Sequence, residues 1–237
     1  MEPVYPLGVK KDLTVEPWWD AAKVPSFDPN KLLALVGAGK EAAVRHAKAF
    51  PSHMGGNDIS FKLAGSGGDG AQTAALLLAR ASINEGFDAT NIPSYGPESR
   101  GGTSYADVHI AEQEVLNPAA PDPTVLVAFN ALSLAKFAPT VRTGGVVIYD
   151  STVIQDLPPM PEGVRVVGVP MTQIAQGLER PMVKNIVALG AIQAVTQIFP
   201  GETFLATIRT VLKDKPALLP LNEAAFAAGQ RHAIAIA

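Results

Sequence analysis

The chain has 237 residues, of which 47% are hydrophobic and 17% charged, with a formal net charge of −3 and no cysteine. That is enough apolar material for one α/β domain plus an extension, and the low charge fraction suggests that other chains cover much of its surface. The composition excludes disulfides, thiolate metal sites, Cys-held iron–sulfur clusters and a thiol nucleophile, and the absence of a basic block speaks against nucleic acid as a partner.

No apolar run reaches membrane-spanning length. The start, MEPVYPLGVKK, lacks the charged and apolar regions of a secretory signal. A cytoplasmic protein with no membrane partner is expected. The four histidines, His46, His53, His109 and His232, form no pair at metal-ligand spacing, so no metal site is expected.

Residues 1–29 are rich in proline, which blocks regular helix and central strand. Both tryptophans, Trp18 and Trp19, lie there with Tyr5 and Phe27. An extended arm that lays these rings on a neighbouring subunit fits this composition better than a disordered tail, and folding back on its own domain is the alternative. Residues 30–50 read as helix, interrupted near Gly37. Gly37-Ala38-Gly39-Lys40 lacks the spacing and the following Ser/Thr of a phosphate loop. The expected division is an N-terminal extension over 1–56, contacting partner subunits, and an α/β domain over 57–237.

Residues 59–64 read as a strand, and 71–83 as a helix by their Ala/Leu content. Between them stands Gly65-Ser66-Gly67-Gly68-Asp69-Gly70. Strand, glycine turn and helix start make the first half of a βαβ unit, and the helix amides can meet an anion. Gly65, Gly67 and Gly70 fit GxGxxG. Nicotinamide dinucleotide binding also asks for an acid at the end of the second strand. In the expected strand, 88–92, Asp88 stands at the beginning instead. A turn serving only helix–sheet packing is the plain alternative.

The loop 93–102, PSYGPESRGG, is irregular and carries Tyr95, Glu98 and Arg100. Long loops at strand ends of α/β sheets carry function, and an arginine between glycines presents its fork to phosphate or carboxylate. An Arg100–Glu98 brace is the structural alternative. Residues 104–110 alternate as a strand with one wetter face, near a sheet edge, on which His109 is a hydrogen-bonded structural residue.

Central parallel strands are expected at 124–129 and 146–149, with a helix over 131–141. Asn130 and Asp150-Ser151 either line a crevice at the strand ends or cap the next element. A strand over 164–169 and a short helix over 173–178 follow. Pro181 opens a long helix to about Phe199, apolar nearly all round and therefore buried, with another subunit as a candidate cover. Gly190 in its middle marks the close approach of a neighbour, and Lys184 and Asn185 near its start can meet an anion. Amphipathic helices are expected over 203–213 and 222–232. The fold class is thus α/β, Rossmann-like, with a mostly parallel sheet, flanking helices and an extended N-terminal arm.

The order GSGGDG, then PSYGPESRGGTSYADVHI, then VGVPMTQIAQGLERPMVKNIVALGAI resembles the gamma subunit or domain of the 2-oxoacid:acceptor oxidoreductases, the pyruvate:ferredoxin oxidoreductase family. The loop with Gly96, Glu98, Arg100, Gly101 and Gly102 carries the resemblance most specifically, supported by Pro170, Thr172, Ala175, Asn185, Leu189 and Gly190. The family usually has Gln where Asp69 stands, and an acid there repels phosphate.

The resemblance implies a subunit without a complete active site. Its complex oxidises a 2-oxoacid to its acyl-CoA, with thiamine diphosphate and iron–sulfur clusters on alpha, beta and delta-type partners. Electrons leave to ferredoxin or, through an added flavin subunit, to NAD. It implies that this chain helps shape the coenzyme A entrance, through Gly65, Gly67, Gly68, Gly70, Tyr95, Gly96, Glu98, Arg100, Gly101, Gly102 and Asn185. Pyruvate, 2-oxoglutarate, branched 2-oxoacids and aryl 2-oxoacids such as phenylglyoxylate or indolepyruvate all remain open as substrates. A stand-alone NAD(P)-dependent dehydrogenase and a purely structural subunit are the competing readings.

Overall fold

The computed structural model describes residues 49–51, 56–95 and 103–235. They belong to one compact unit, His46–Ala237, and the other unit, Met1–Arg45, lies outside the described residues together with the expected arm.

Six strands form one sheet in the order β2-β3-β1-β4-β5-β6. They are β1 (Asp58–Ser66), β2 (Asp88–Tyr95), β3 (Thr103–Ala111), β4 (Val125–Ala128), β5 (Val146–Asp150) and β6 (Arg165–Val169). β1, β4, β5 and β6 pair in parallel, while β3 is antiparallel to both β1 and β2. β2 therefore runs with β1, and the opening βαβ unit is split by β3.

Helix α1 (Ala71–Asn84) follows β1 and α2 (Ala131–Phe137) follows β4. After β6 come α3 (Met171–Gly177), α4 (Lys184–Thr196), α5 (Gly201–Val211) and α6 (Leu219–Ala235). Strand alternation sends side chains to two cores. Phe61, Leu63, Val125, Val127, Ile148 and Val167 join the larger one, built with α1, α4, α5 and α6. Ala64, Leu126, Ala128 and Val147 join the smaller one, under α2 and Ile154.

β3 lies near the edge as expected, next to the outermost strand β2, and its wetter face arises from Asp107, paired with Lys62, and His109, whose Nε2 lies 3.1 Å from Asp58 Oδ2. Three expectations are corrected. β2 continues through Pro93 to Tyr95, where an irregular loop was expected; proline is tolerated because the strand is an edge. The long helix begins as a 3-10 turn, Pro181–Val183, and ends at Thr196, because Gln197 adopts a left-handed backbone with φ 48°. Finally, α4 is covered from within the chain by α6. A Cβ on Gly190 would stand 2.1 Å from Phe226 O, and one on Gly229 2.1 Å from Val187 O. No helix among the described residues is long and apolar enough to cross a membrane.

Candidate functional site

The order of the strands reverses between β1 and β4. The chain leaves β1 through α1 toward β2, and leaves β4 through α2 toward β5 on the other side. Ligand crevices of open α/β sheets lie at the carboxyl ends of strands at such a point. The glycine turn stands there.

Asp69 N donates to Ser66 O (3.0 Å), closing the turn. Gly70 precedes α1 with φ 84° and offers no side-chain cap, so amides of the first helical turn are left for an outside acceptor. Gly70 is also confined: a Cβ would stand 2.8 Å from Asn185 Cβ, and one on Gly65 3.1 Å from Phe129 Cβ. Among the described residues nothing lies within 4 Å of a Cβ built on Gly67 or Gly68, and Gly68 needs its φ of 100°. Close approach is thus required at Gly65 and Gly70, whereas no described residue crowds Gly67 and Gly68.

Asp69 turns inward. Its Oδ2 accepts from Ser66 N (2.6 Å) and Asn130 Nδ2 (3.1 Å), and its Oδ1 lies 2.5 Å from Lys184 Nζ. Asn130 also caps α2, its Oδ1 accepting from Ser133 N (2.8 Å), so its two proposed roles coexist. The anion that Lys184 meets is the chain's own Asp69. The sequence signal for that pair was a lysine at the start of an otherwise apolar helix. Asp150 is fully buried and accepts from Thr172 N (3.2 Å) and Thr172 Oγ1 (2.5 Å); it caps α3, whose preceding residue Pro170 makes no side-chain cap.

Of the expected site residues, Gly65, Gly67, Gly68, Gly70 and Asn185 come together at this edge. Tyr95 ends β2 and is 71% exposed. Gly96, Glu98, Arg100, Gly101 and Gly102 lie outside the described residues, but the strands flanking them locate both ends of their loop. Tyr95 pairs with Ser104, and Thr103 pairs with Ser66, the first residue past Gly65. Tyr95 and Thr103, the described residues on either side, thus stand at the end of the sheet that carries the glycine turn.

Gln72 in the first turn of α1 was not foreseen. Its Nε2 donates to Tyr105 O (2.7 Å), Ser104 Oγ (3.1 Å) and Ser94 O (3.3 Å), tying the helix start to both strands that bear the loop. Beside it, Thr73 and Asn185 lie at one end of an apolar groove of about 370 Å³, lined by Leu77, Ile186, Ile208 and Leu221. Among the described residues no group of His, Asp and Glu is arranged to hold a metal ion. The site offers anion-meeting amides and a glycine rim uncrowded by the described residues.

Comparison with known proteins agrees with this geometry. Residues 60–231 match the family model described as pyruvate ferredoxin/flavodoxin oxidoreductase. Ketoisovalerate oxidoreductase subunit VorA of Methanothermobacter marburgensis is 38% identical over 174 residues, which are 73% of this chain and 36% of VorA. The chain thus spans about a third of that relative's length. The gamma subunit of a keto/oxoacid ferredoxin oxidoreductase from Geobacter sulfurreducens superposes with a TM-score of 0.65 at 29% identity, covering 75% of this chain and 99% of that one. A 2-oxoglutarate:ferredoxin oxidoreductase from Magnetococcus marinus, solved with 2-oxoglutarate, coenzyme A and succinyl-CoA bound, gives 0.70 at 25% identity, covering 77% of this chain and 32% of that one. The chain belongs to the pyruvate ferredoxin/flavodoxin oxidoreductase family, as a gamma-type subunit or domain.

Proposed function

We propose that this chain is the gamma subunit of a multi-subunit 2-oxoacid oxidoreductase and that its glycine turn and the loop 96–102 shape the coenzyme A entrance. Thiamine diphosphate supplies the decarboxylating chemistry on a partner chain. The iron–sulfur clusters sit on partners as well, since this chain has no cysteine to ligate iron. Alpha, beta and delta-type subunits are the expected neighbours, with a flavin subunit where NAD is the acceptor. The N-terminal extension, 1–56, is assigned to contacts with them.

The observation that carries the reading is the pairing of Thr103 with Ser66. It supports the reading by standing Thr103, the first described residue after 96–102, beside the uncapped start of α1, whose amides suit a phosphate-bearing ligand. Among the described residues nothing fills the space over Gly67 and Gly68.

The test is made in the intact complex. Arg100→Ala is expected to raise the KM for coenzyme A with kcat little changed, because a contact made equally in ground and transition states is lost. An unchanged KM removes Arg100 from the role. Hydrogen exchange of 93–103 with and without coenzyme A separates this reading from a purely structural subunit, which predicts no protection. A stand-alone NAD(P) dehydrogenase requires NADH to bind the isolated chain tightly. Asp88 speaks against it, lying at the start of β2 with Oδ2 accepting from Val115 N (2.9 Å).

A further inference from the structure

The donors around Asp69 have the makeup of an anion site. A backbone amide (Ser66 N, 2.6 Å), a side-chain amide (Asn130 Nδ2, 3.1 Å) and an ammonium (Lys184 Nζ, 2.5 Å) converge on one carboxylate. They come from three separate places, the end of β1, the residue that caps α2 and the start of α4, and they meet where the strand order reverses. The side chains of Lys184 and Asp69 are 16% and 19% exposed, so the pair is shielded without being sealed off. Asn130 is held in place independently, by Ser66 Oγ (2.9 Å) and by its cap on α2. Asn130 therefore does not depend on Asp69 for its position.

We propose that Asp69 is a resident anion, whose carboxylate fills an oxyanion site made by Ser66 N, Asn130 Nδ2 and Lys184 Nζ and so bars phosphate groups from the crevice between β1 and β4. The carboxylate satisfies the lysine charge and stands against Gly65, where an added Cβ would lie 2.8 Å from Asp69 Oδ2. A second anion entering there meets both an occupied space and a like charge. Phosphate-bearing ligands are thereby directed outward, over Gly67 and Gly68. Asp69 then determines specificity without touching the ligand. This inference stands whether or not the coenzyme A reading holds, because it concerns inorganic anions as much as cofactors.

The test uses sulfate as probe on the full chain, by calorimetry at low ionic strength. The wild type is expected to bind sulfate at most weakly, at the outer rim over Gly67 and Gly68, and Asp69→Gly to gain an additional, tighter site. Its affinity should exceed any wild-type binding by roughly tenfold or more, since the freed ammonium and amides give charge-assisted hydrogen bonds. Adding Lys184→Met to Asp69→Gly should abolish it. A wild type that binds sulfate as well as Asp69→Gly, or a folded Asp69→Gly that gains nothing, overturns the proposal. Should Asp69→Gly not fold, the wild type still decides: an acylating reagent must modify Lys184 far more slowly than exposed Lys136, and equal rates refute a standing Asp69–Lys184 pair.

Discussion

Lys62 and Asp107 form an ion pair between neighbouring strands, on the face of the sheet that carries the smaller core. Their side chains are 6% and 11% exposed. Lys62 Nζ lies 4.7 Å from the centre of the Tyr105 ring and 5.1 Å from that of Phe137, and Asp107 Oδ2 accepts from Ala120 N (3.0 Å). The pair thus holds the long 112–123 connection against the sheet. Removing one partner leaves the other charge buried with little compensation. Lys62→Met is expected to cost about 3 kcal/mol, read from urea unfolding. In a double-mutant cycle, Lys62→Met with Asp107→Leu should recover a large part of that loss, because an apolar pair replaces a charged one without desolvating an ion. A neutral Lys62→Met would mean that the pair is no more than a solvated surface contact.

The crossing of α4 and α6 makes a second prediction. In an exposed helix, Gly→Ala stabilises by about 1 kcal/mol. Here a methyl group at Gly190 or Gly229 meets a backbone carbonyl oxygen of the facing helix at 2.1 Å. Neither backbone can yield without moving its helix. Both Gly190→Ala and Gly229→Ala should therefore destabilise by roughly 2–3 kcal/mol. Gly177→Ala is the control, since nothing lies within 4 Å of its would-be Cβ, and it should be neutral or slightly favourable. If all three behave alike in thermal unfolding, the two helices do not meet backbone to backbone.

Asp150 gives the third. It lies at the end of β5 yet caps α3, doing from a distance in sequence what Pro170 does not do locally. Asp150→Ala should cost about 2 kcal/mol, at the upper end for a lost cap, because Thr172 N and Oγ1 are left in a dry site. Asp150→Asn retains an acceptor and should cost less. Chemical denaturation of both variants checks the order, and equal losses would show that the charge rather than the cap is what matters.

What the sequence made legible follows from the range of the forces involved. Periodicity and glycine placement gave β1, the turn and α1 almost to the residue, because hydrogen bonds and burial there are local in sequence. The continuous apolar runs of β4 and β5 revealed central strands for the same reason. Two kinds of information were not local. The place of β2 at the edge depends on β3 folding back between it and β1, which no pattern within β2 encodes. The roles of Asp69 and Lys184 depend on each other across 115 positions. Each was visible as an oddity, an acid in a glycine turn and a lysine in an apolar helix, but neither alone names its partner. Gly190 was read as marking close approach, and only the structure identifies the neighbour as the chain's own α6.

Gln72 tests whether the ends of β2 and β3 are held by α1. Its Nε2 must be the donor, because Ser94 O and Tyr105 O can only accept. Among the described residues its buried Oε1 has no hydrogen-bond partner. Gln72→Leu loses the first set of contacts and relieves the second burden, so the change in global stability should stay within about 1 kcal/mol. Locally the effect is different. The ends of β2 and β3 lose their tie to α1, and amides at 94–95 and 103–105 should exchange roughly tenfold faster while the centre of β1 is unchanged. If the loop borders the coenzyme A entrance, the same variant in the intact complex raises the KM for coenzyme A with kcat little altered, as expected of a positioning residue. Unchanged exchange at both strand ends would show that strand pairing alone fixes the ends of β2 and β3 and that Gln72 merely fills space.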